Sequence, residues 1–167
     1  MLVDLLTAEE EAVDLRTAQL RFDIGLLAAR LAGVTDWLVQ YPDTRLLQIG
    51  YFGASTGAAA ALVAAAERPV AIGAVVSRGG RPDLAGPYLP QVQAPTLLIV
   101  GGNDFQVIEL NRAAIAQLRC EKELVIVPGA THLFEELGAL DQVALLAREW
   151  FQKHLVQEEA SVTRPNR

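Results

Sequence analysis

Apolar positions in this chain fall into short runs that alternate with stripes spaced three and four residues apart. Leu2 to Leu6, broken only by Asp4, is long enough for one strand. After an acidic segment, Leu20, Ile24, Leu27, Leu31, Val34 and Leu38 recur at steps of four and three. That spacing predicts one face of a long helix from about residue 15 to 40, ended by Tyr41-Pro42-Asp43. Leu46 to Phe52 reads as a buried strand running straight into Gly53-Ala54-Ser55-Thr56-Gly57. The alanine-rich stretch Ala58 to Glu67 is helical by propensity and small enough to pack closely on a sheet. Pro69 breaks that helix, and Val70 to Ser77 is the next strand, enriched in valine and isoleucine. Residues 78 to 94 read as a loop with one helical turn. Pro95 to Val100 is a further strand, closed by Gly101-Gly102-Asn103-Asp104, and a helix over about 105–119 turns Val107, Ile108, Ala114, Ile115 and Leu118 inward. Leu124 to Val127 is the last strand, Pro128-Gly129-Ala130-Thr131-His132 its exit loop, and Leu140, Val143, Ala147 and Trp150 mark a final helix. The polar tail Glu158 to Arg167 is expected to be disordered.

Strands alternating with helices demand a mostly parallel sheet with helices on both faces. The expectation is an α/β fold: three α/β/α layers around about five strands, in a single domain over residues 1–157 with no repeat or linker. Ligands of such sheets bind at the carboxyl ends of the strands.

Composition narrows the class. A chain of 167 residues is the size of one domain, large enough to bury a core. Its net charge of -6 and pI near 4.9 argue against nucleic acid or an anionic membrane surface as partner. A lone cysteine, Cys120, excludes an internal disulfide and fits a reducing compartment. The start lacks the basic segment of a secretory signal, and Glu9, Glu10 and Glu11 follow at once. No apolar run reaches the ~18 residues needed to span a bilayer. A cytoplasmic protein that needs no metal and no cofactor is the expectation.

Three residues at predicted strand ends carry chemistry. Ser55 lies in Gly53-x-Ser55-x-Gly57 at a strand-to-helix junction. A nucleophile there sits on a sharp turn that tolerates only small neighbours, beside helix amides that stabilise a developing oxyanion. Of the two histidines, His154 falls on the apolar stripe of the last helix and reads as a packing residue. His132 follows the last strand in a glycine-containing loop, where a base can reach toward Ser55. Asp104, four residues past Val100, can fix the tautomer of His132 and stabilise its imidazolium; its alternative role is to cap the helix starting at Phe105. The order Ser55, Asp104, His132 is that of the α/β-hydrolase triad.

On these residues the chain resembles an α/β-hydrolase. Gly50-Tyr51-Phe52-Gly53-Ala54-Ser55-Thr56-Gly57-Ala58 and Pro128-Gly129-Ala130-Thr131-His132-Leu133-Phe134 resemble the dienelactone hydrolase-like branch, from about Leu2 to Leu155. The resemblance implies hydrolysis of a small carboxylic ester through an acyl-enzyme. Serine stands where that branch can carry cysteine. Relatives of the branch also occur fused to phosphoribosyltransferase domains, so a partner of that kind is conceivable. The Thr56 amide is one oxyanion donor. Members of the family begin with further strands, one of them beside the nucleophile strand, and the loop after it supplies the second amide; nothing here resembles them. Two repairs are expected together: the Leu2–Leu6 strand moves next to Leu46–Phe52, offering an amide around Leu6 or Thr7, and a second copy covers the open edge as a homodimer. With only residues 78–94 inserted at the active-site end, the cleft should favour short acyl chains. Arg78 is a candidate for holding an anionic substrate group; Arg81 more readily pairs with Asp83. Cys120 reads as structural. The competing reading is a shortened, catalytically weak fold serving as a binding module. A dinucleotide binder fails, because no Gly-x-Gly-x-x-Gly follows the first strand.

Overall fold

In the computed structural model, which describes residues 1–155, four parallel strands form one sheet. They are β1 (Ile49–Ala54), β2 (Ile72–Arg78), β3 (Thr96–Gly101) and β4 (Lys122–Val127), in that spatial order. The helices are α1 (Ala8–Thr17), α2 (Ile24–Leu38), α3 (Thr56–Glu67), α4 (Phe105–Ile115) and α5 (Ala139–Leu155), with short 3-10 segments at Leu20–Phe22 and Pro82–Gln91.

Alternation along the strands sorts the core into two faces. Tyr51 and Val75 pack with α2 and α3, whereas Ala74, Val76, Leu97, Ile99 and Val127 meet Val143, Ala147 and Trp150 of α5. Val100 meets Val107 and Ile108 of α4. Every residue of β3 is buried, as expected of a strand covered on both faces. Residues Ala58 to Ala65 of α3 are all buried, because α2, the sheet and the 82–91 segment surround it; its alanines permit that close approach.

The amino-terminal region departs from expectation. Leu2 to Leu6 form no strand, so the sheet has four strands rather than about five. Leu2 is fully exposed, Leu5 and Leu6 pack on the α2–α3 cluster, and the Leu5 carbonyl accepts a 2.7 Å hydrogen bond from Arg30 Nη1 instead of a strand partner. Among the described residues β1 therefore keeps one unpaired edge. The helix expected over 15–40 is broken. Ala18 adopts the left-handed conformation (φ 53°) and ends α1, and Asp23 accepts from the Leu26 amide at 3.0 Å to begin α2. Between them, the buried Asp14 carboxylate accepts from the backbone and the guanidinium of Arg21 at 3.0 and 2.5 Å, folding the chain back. Strand bounds also shift. Leu46, Leu47 and Val70 are exposed, so β1 starts at Ile49 and β2 at Ile72. The expected disordered tail, Glu158–Arg167, lies outside the described residues. Among the described residues no helix is long and apolar enough to cross a membrane.

Candidate active site

Ser55 is the single residue between the end of β1 and the start of α3. Its backbone stands at φ 49°, ψ -124°, a region that side-chain-bearing residues occupy only when their surroundings enforce it. The enforcement comes from the chain beyond β2. The Ser55 amide donates to the Arg78 carbonyl at 3.3 Å, and the Ser55 carbonyl accepts from the Arg81 amide at 3.1 Å and the Ala58 amide at 3.2 Å. The two glycines of the motif are unequal. A Cβ on Gly53 would lie 2.6 Å from the Gly57 carbonyl oxygen and 2.7 Å from Ala58 Cα, both backbone atoms, so no side chain fits. A Cβ on Gly57 would meet nothing within 4 Å.

The second cluster forms where the exits of β3 and β4 meet. A Cβ on Gly101 would fall 2.5 Å from the carbonyl oxygens of both Ala130 and Thr131, so the two loops lie backbone against backbone. The Gly102 amide donates to Val127 O at 2.8 Å, the Asn103 amide to Ala130 O at 2.9 Å, and Asn103 Nδ2 to Gly129 O at 2.9 Å. Asp104 stands at the amino end of α4, yet its side chain caps nothing. Instead its Oδ2 accepts from His132 Nδ1 at 2.6 Å. The carboxylate is 15% exposed and the imidazole 41%. An ionised carboxylate on Nδ1 leaves Nε2 as the nitrogen free to take a proton. On the same loop, the Thr131 amide donates to Glu136 at 3.1 Å; the Thr131 side chain first, and then the amides of Glu136 and Thr131, hold the Glu136 carboxyl below its ordinary range.

Between the two clusters lies Gly79 (φ 52°). A Cβ there would sit 3.1 Å from the His132 carbonyl oxygen, 3.4 Å from the Phe134 ring and 3.7 Å from His132 Cε1. The end of β2 thus supports the His132 loop on one side and Ser55 on the other. Asp104 and His132 are brought into direct contact. Ser55 occupies the same carboxyl-end rim, joined to them through Arg78 and Gly79 rather than by a hydrogen bond from its hydroxyl to His132.

The remaining expected residues fall as follows. Thr56 opens α3, where the first amides have no carbonyl of their own helix to bond. Leu6 and Thr56 share the wall of a cavity of about 430 Å³, completed by Val3, Leu27 and Gly57 among others. A larger hollow, about 510 Å³, lies along the unpaired edge of β1 and not over Asp104 and His132. Its walls include Leu2, Leu31, Leu47 and Phe52. Arg81 is tied by two bonds to Asp83, at 2.9 and 2.7 Å. Arg78 forms no ion pair among the described residues; its Nη1 donates to Leu133 O at 3.4 Å and its guanidinium lies 5.7 Å from the centre of the buried Phe134 ring. Burial pushes the His154 imidazole below its ordinary value and the Cys120 thiol above it. His154 packs on Trp150, with its side chain 3.8 Å from Glu121.

Comparison with known proteins identifies the family and the fold. The model of the dienelactone hydrolase family matches residues 10–154. The crystal structure of a dienelactone hydrolase from Anabaena variabilis is 66% identical, with a TM-score of 0.90, and the match covers 93% of this chain and 72% of that one. The Mycobacterium tuberculosis protein named "Putative phosphoribosyl transferase" is 61% identical over 155 residues, 93% of this chain and 34% of that protein. The chain therefore spans about a third of the length of that curated relative. Est1E from Butyrivibrio proteoclasticus shares the fold, at 17% identity and a TM-score of 0.67 over 78% of this chain and 70% of that one.

Proposed function

The chain belongs to the dienelactone hydrolase family, within the α/β hydrolases, and from that premise we propose that it is a serine hydrolase cleaving small carboxylic esters. The observation that carries this reading is the 2.6 Å bond from His132 to an Asp104 carboxylate that performs no capping, on the rim that also holds the strained Ser55. A purely structural aspartate at that helix start would bond its own helix amides.

In the proposed reaction His132 Nε2 removes the Ser55 hydroxyl proton as Oγ attacks the ester carbonyl. Asp104 stabilises the imidazolium that results. The imidazolium then protonates the departing alcohol, leaving the acyl group on Ser55. Water, deprotonated by the same nitrogen, attacks the acyl-enzyme and releases the acid. The negative oxygen of each tetrahedral intermediate accepts from the Thr56 amide. The cavity shared by Thr56 and Leu6 supports a second donor from the Leu6 region, supplied by an irregular segment and not by a relocated strand. Arg78, unpaired at the same rim, is suited to an anionic group on the substrate. The unpaired apolar edge of β1 supports association with a second copy.

Two tests address this reading. A fluorophosphonate probe should label wild-type protein at Ser55 and leave Ser55→Ala unlabelled. Short-chain p-nitrophenyl esters should turn over faster than long-chain ones. A folded wild type that resists the probe would instead support a binding module, the reading favoured by the single oxyanion amide that a regular element presents.

A further inference from the structure

We propose that Asn111 is a positioning residue for the nucleophile: through Gly80 it locks the clamp that keeps Ser55 in its strained conformation. This rests on the reading of Ser55 as nucleophile, and the experiment separates the two.

Within the turn itself the Ser55 backbone takes one bond, from the Ala58 amide to its carbonyl at 3.2 Å, which leaves the strained φ of 49° to be held from outside. Its restraint is the Arg78–Arg81 segment, which takes the Ser55 amide at one end and the Ser55 carbonyl at the other. A clamp holds only as well as it is itself fixed. Its first half is anchored to the sheet, because Arg78 pairs with Ala54 and the Gly79 amide donates to Ile99 O at 2.8 Å. Its second half has left the sheet. There, Gly80 is pressed so closely on its neighbours that a Cβ would lie 2.0 Å from Ser77 Oγ and 2.6 Å from Ala58 Cβ. The Gly80 carbonyl accepts from Asn111 Nδ2 at 3.0 Å, and the next residue's amide, Arg81, bonds Ser55.

Asn111 suits this task and little else. It is fully buried on α4, within the inward stripe of Val107, Ile108 and Ala114, where an apolar residue would cost less to bury. Both of its hydrogen bonds leave from Nδ2: one to Gly80 and one, at 2.8 Å, to Val107 O of its own helix. Its Oδ1 has no partner among the described residues, and neither has Ser77 Oγ beside Gly80. A buried acceptor left unpaired is unfavourable and needs a reason; the reason here is the donor on the same amide. Because α4 begins directly after Asp104, the same helix fixes the acid of the His132 pair and, two turns on, the clamp on Ser55.

The test uses Asn111→Leu, which removes both bonds at similar volume, and Asn111→Ser. The serine hydroxyl reaches the Val107 carbonyl of its own helix but not Gly80. Leu118→Ala serves as a core-destabilised control away from the site, since Leu118 is buried in the α2–α3 cluster. Fluorophosphonate labelling is measured well below each melting temperature, and the rate is expressed per folded molecule. Both Asn111 variants should label about ten- to a hundredfold more slowly, the scale of small misplacement of a reacting group, with the pH midpoint of labelling unchanged. The control should label at the wild-type rate. Amide hydrogen exchange at Arg81 gives a readout independent of chemistry: exchange should accelerate about tenfold or more in both Asn111 variants and stay put in the control. If wild type is not labelled, the esterase reading fails while the Arg81 amide still tests the clamp. Wild-type protection of Arg81, or wild-type labelling, in either folded Asn111 variant overturns the proposal.

Discussion

Replacing Asp104 by asparagine tests the site most sharply, because the substitution preserves shape and removes one charge. The carboxylate accepts from His132 Nδ1 at 2.6 Å and makes no bond to the start of α4. Its contribution therefore lies in stabilising the imidazolium and fixing the tautomer, with little left for folding. For charge centres ~4 Å apart near a protein surface, the attraction is about 4 kcal/mol, which corresponds to about 10³ in rate. The imidazole is 41% exposed, so solvent screens part of this. Asparagine adds a second penalty, since its amide can donate to Nδ1 and hold the proton on Nε2, the nitrogen that must accept it. The expected result is a fall in kcat of about 10³ on p-nitrophenyl acetate, with KM nearly unchanged. The melting temperature should move by no more than the few degrees that about 1 kcal/mol produces in a chain of this size. A loss below about tenfold, or a large drop in stability with normal kcat, refutes the assignment of Asp104 as the partner of the base.

Three further outcomes follow from the geometry. Gly53→Ala forces a methyl against backbone atoms at 2.6 and 2.7 Å and should destabilise by about 3 kcal/mol, whereas Gly57→Ala, in open space on a helix, should melt at or slightly above wild type; paired thermal melts decide it. Glu10 is held at about 2, below its ordinary 4.5, mainly by its bonds to Arg30 and then by the Thr7 amide. A depressed carboxyl stabilises the fold fully above its unfolded value and loses that contribution as pH falls toward 2, so Glu10→Gln should melt below wild type at pH 6 and the gap should close between pH 4.5 and 2. Finally, Phe52 is half-exposed on β1, whose outer edge has no strand partner among the described residues; sedimentation should show a dimer that Phe52→Lys converts to monomer, and a monomeric wild type would remove the edge-pairing idea.

The parts of the fold that were legible share a physical cause. Strands covered on both faces are continuous apolar runs, so β2 and β3 announce themselves, and the alternation of strands with helices places the candidates Ser55, Asp104 and His132 just past the ends of β1, β3 and β4. What misled was hydropathy applied to exposed or polar-anchored chain. Leu2 to Leu6 has the composition of a strand, but nothing in it reveals that Arg30 will take its carbonyl. The stripe from Leu20 to Leu38 runs unbroken through Ala18–Asp23, since the buried Asp14–Arg21 pair that turns the chain there contributes no apolar signal. Asn111 was invisible for the same reason: a polar residue among Val107, Ile108 and Ala114 looks like an interruption of a stripe, although its burial is what signals a role.

The backbone contact of Gly101 with Ala130 and Thr131 has a consequence for how this protein varies. The loops carrying Asp104 and His132 are fastened to each other by main-chain bonds, and several of their side chains, among them Thr131, Leu133, Glu135 and Leu137, are exposed. Sequence drift there leaves the acid–base pair in register, whereas a single methyl at Gly101 does not. A saturation-mutagenesis map should therefore be bimodal, with broad tolerance at the exposed positions Pro128, Thr131, Leu133, Glu135 and Leu137 and near-zero tolerance at His132, the buried Phe134 and Gly101. The nucleophile turn should form a separate intolerant island at Gly53. Arg78 to Arg81 is the one stretch where a change in either half is inherited by the other.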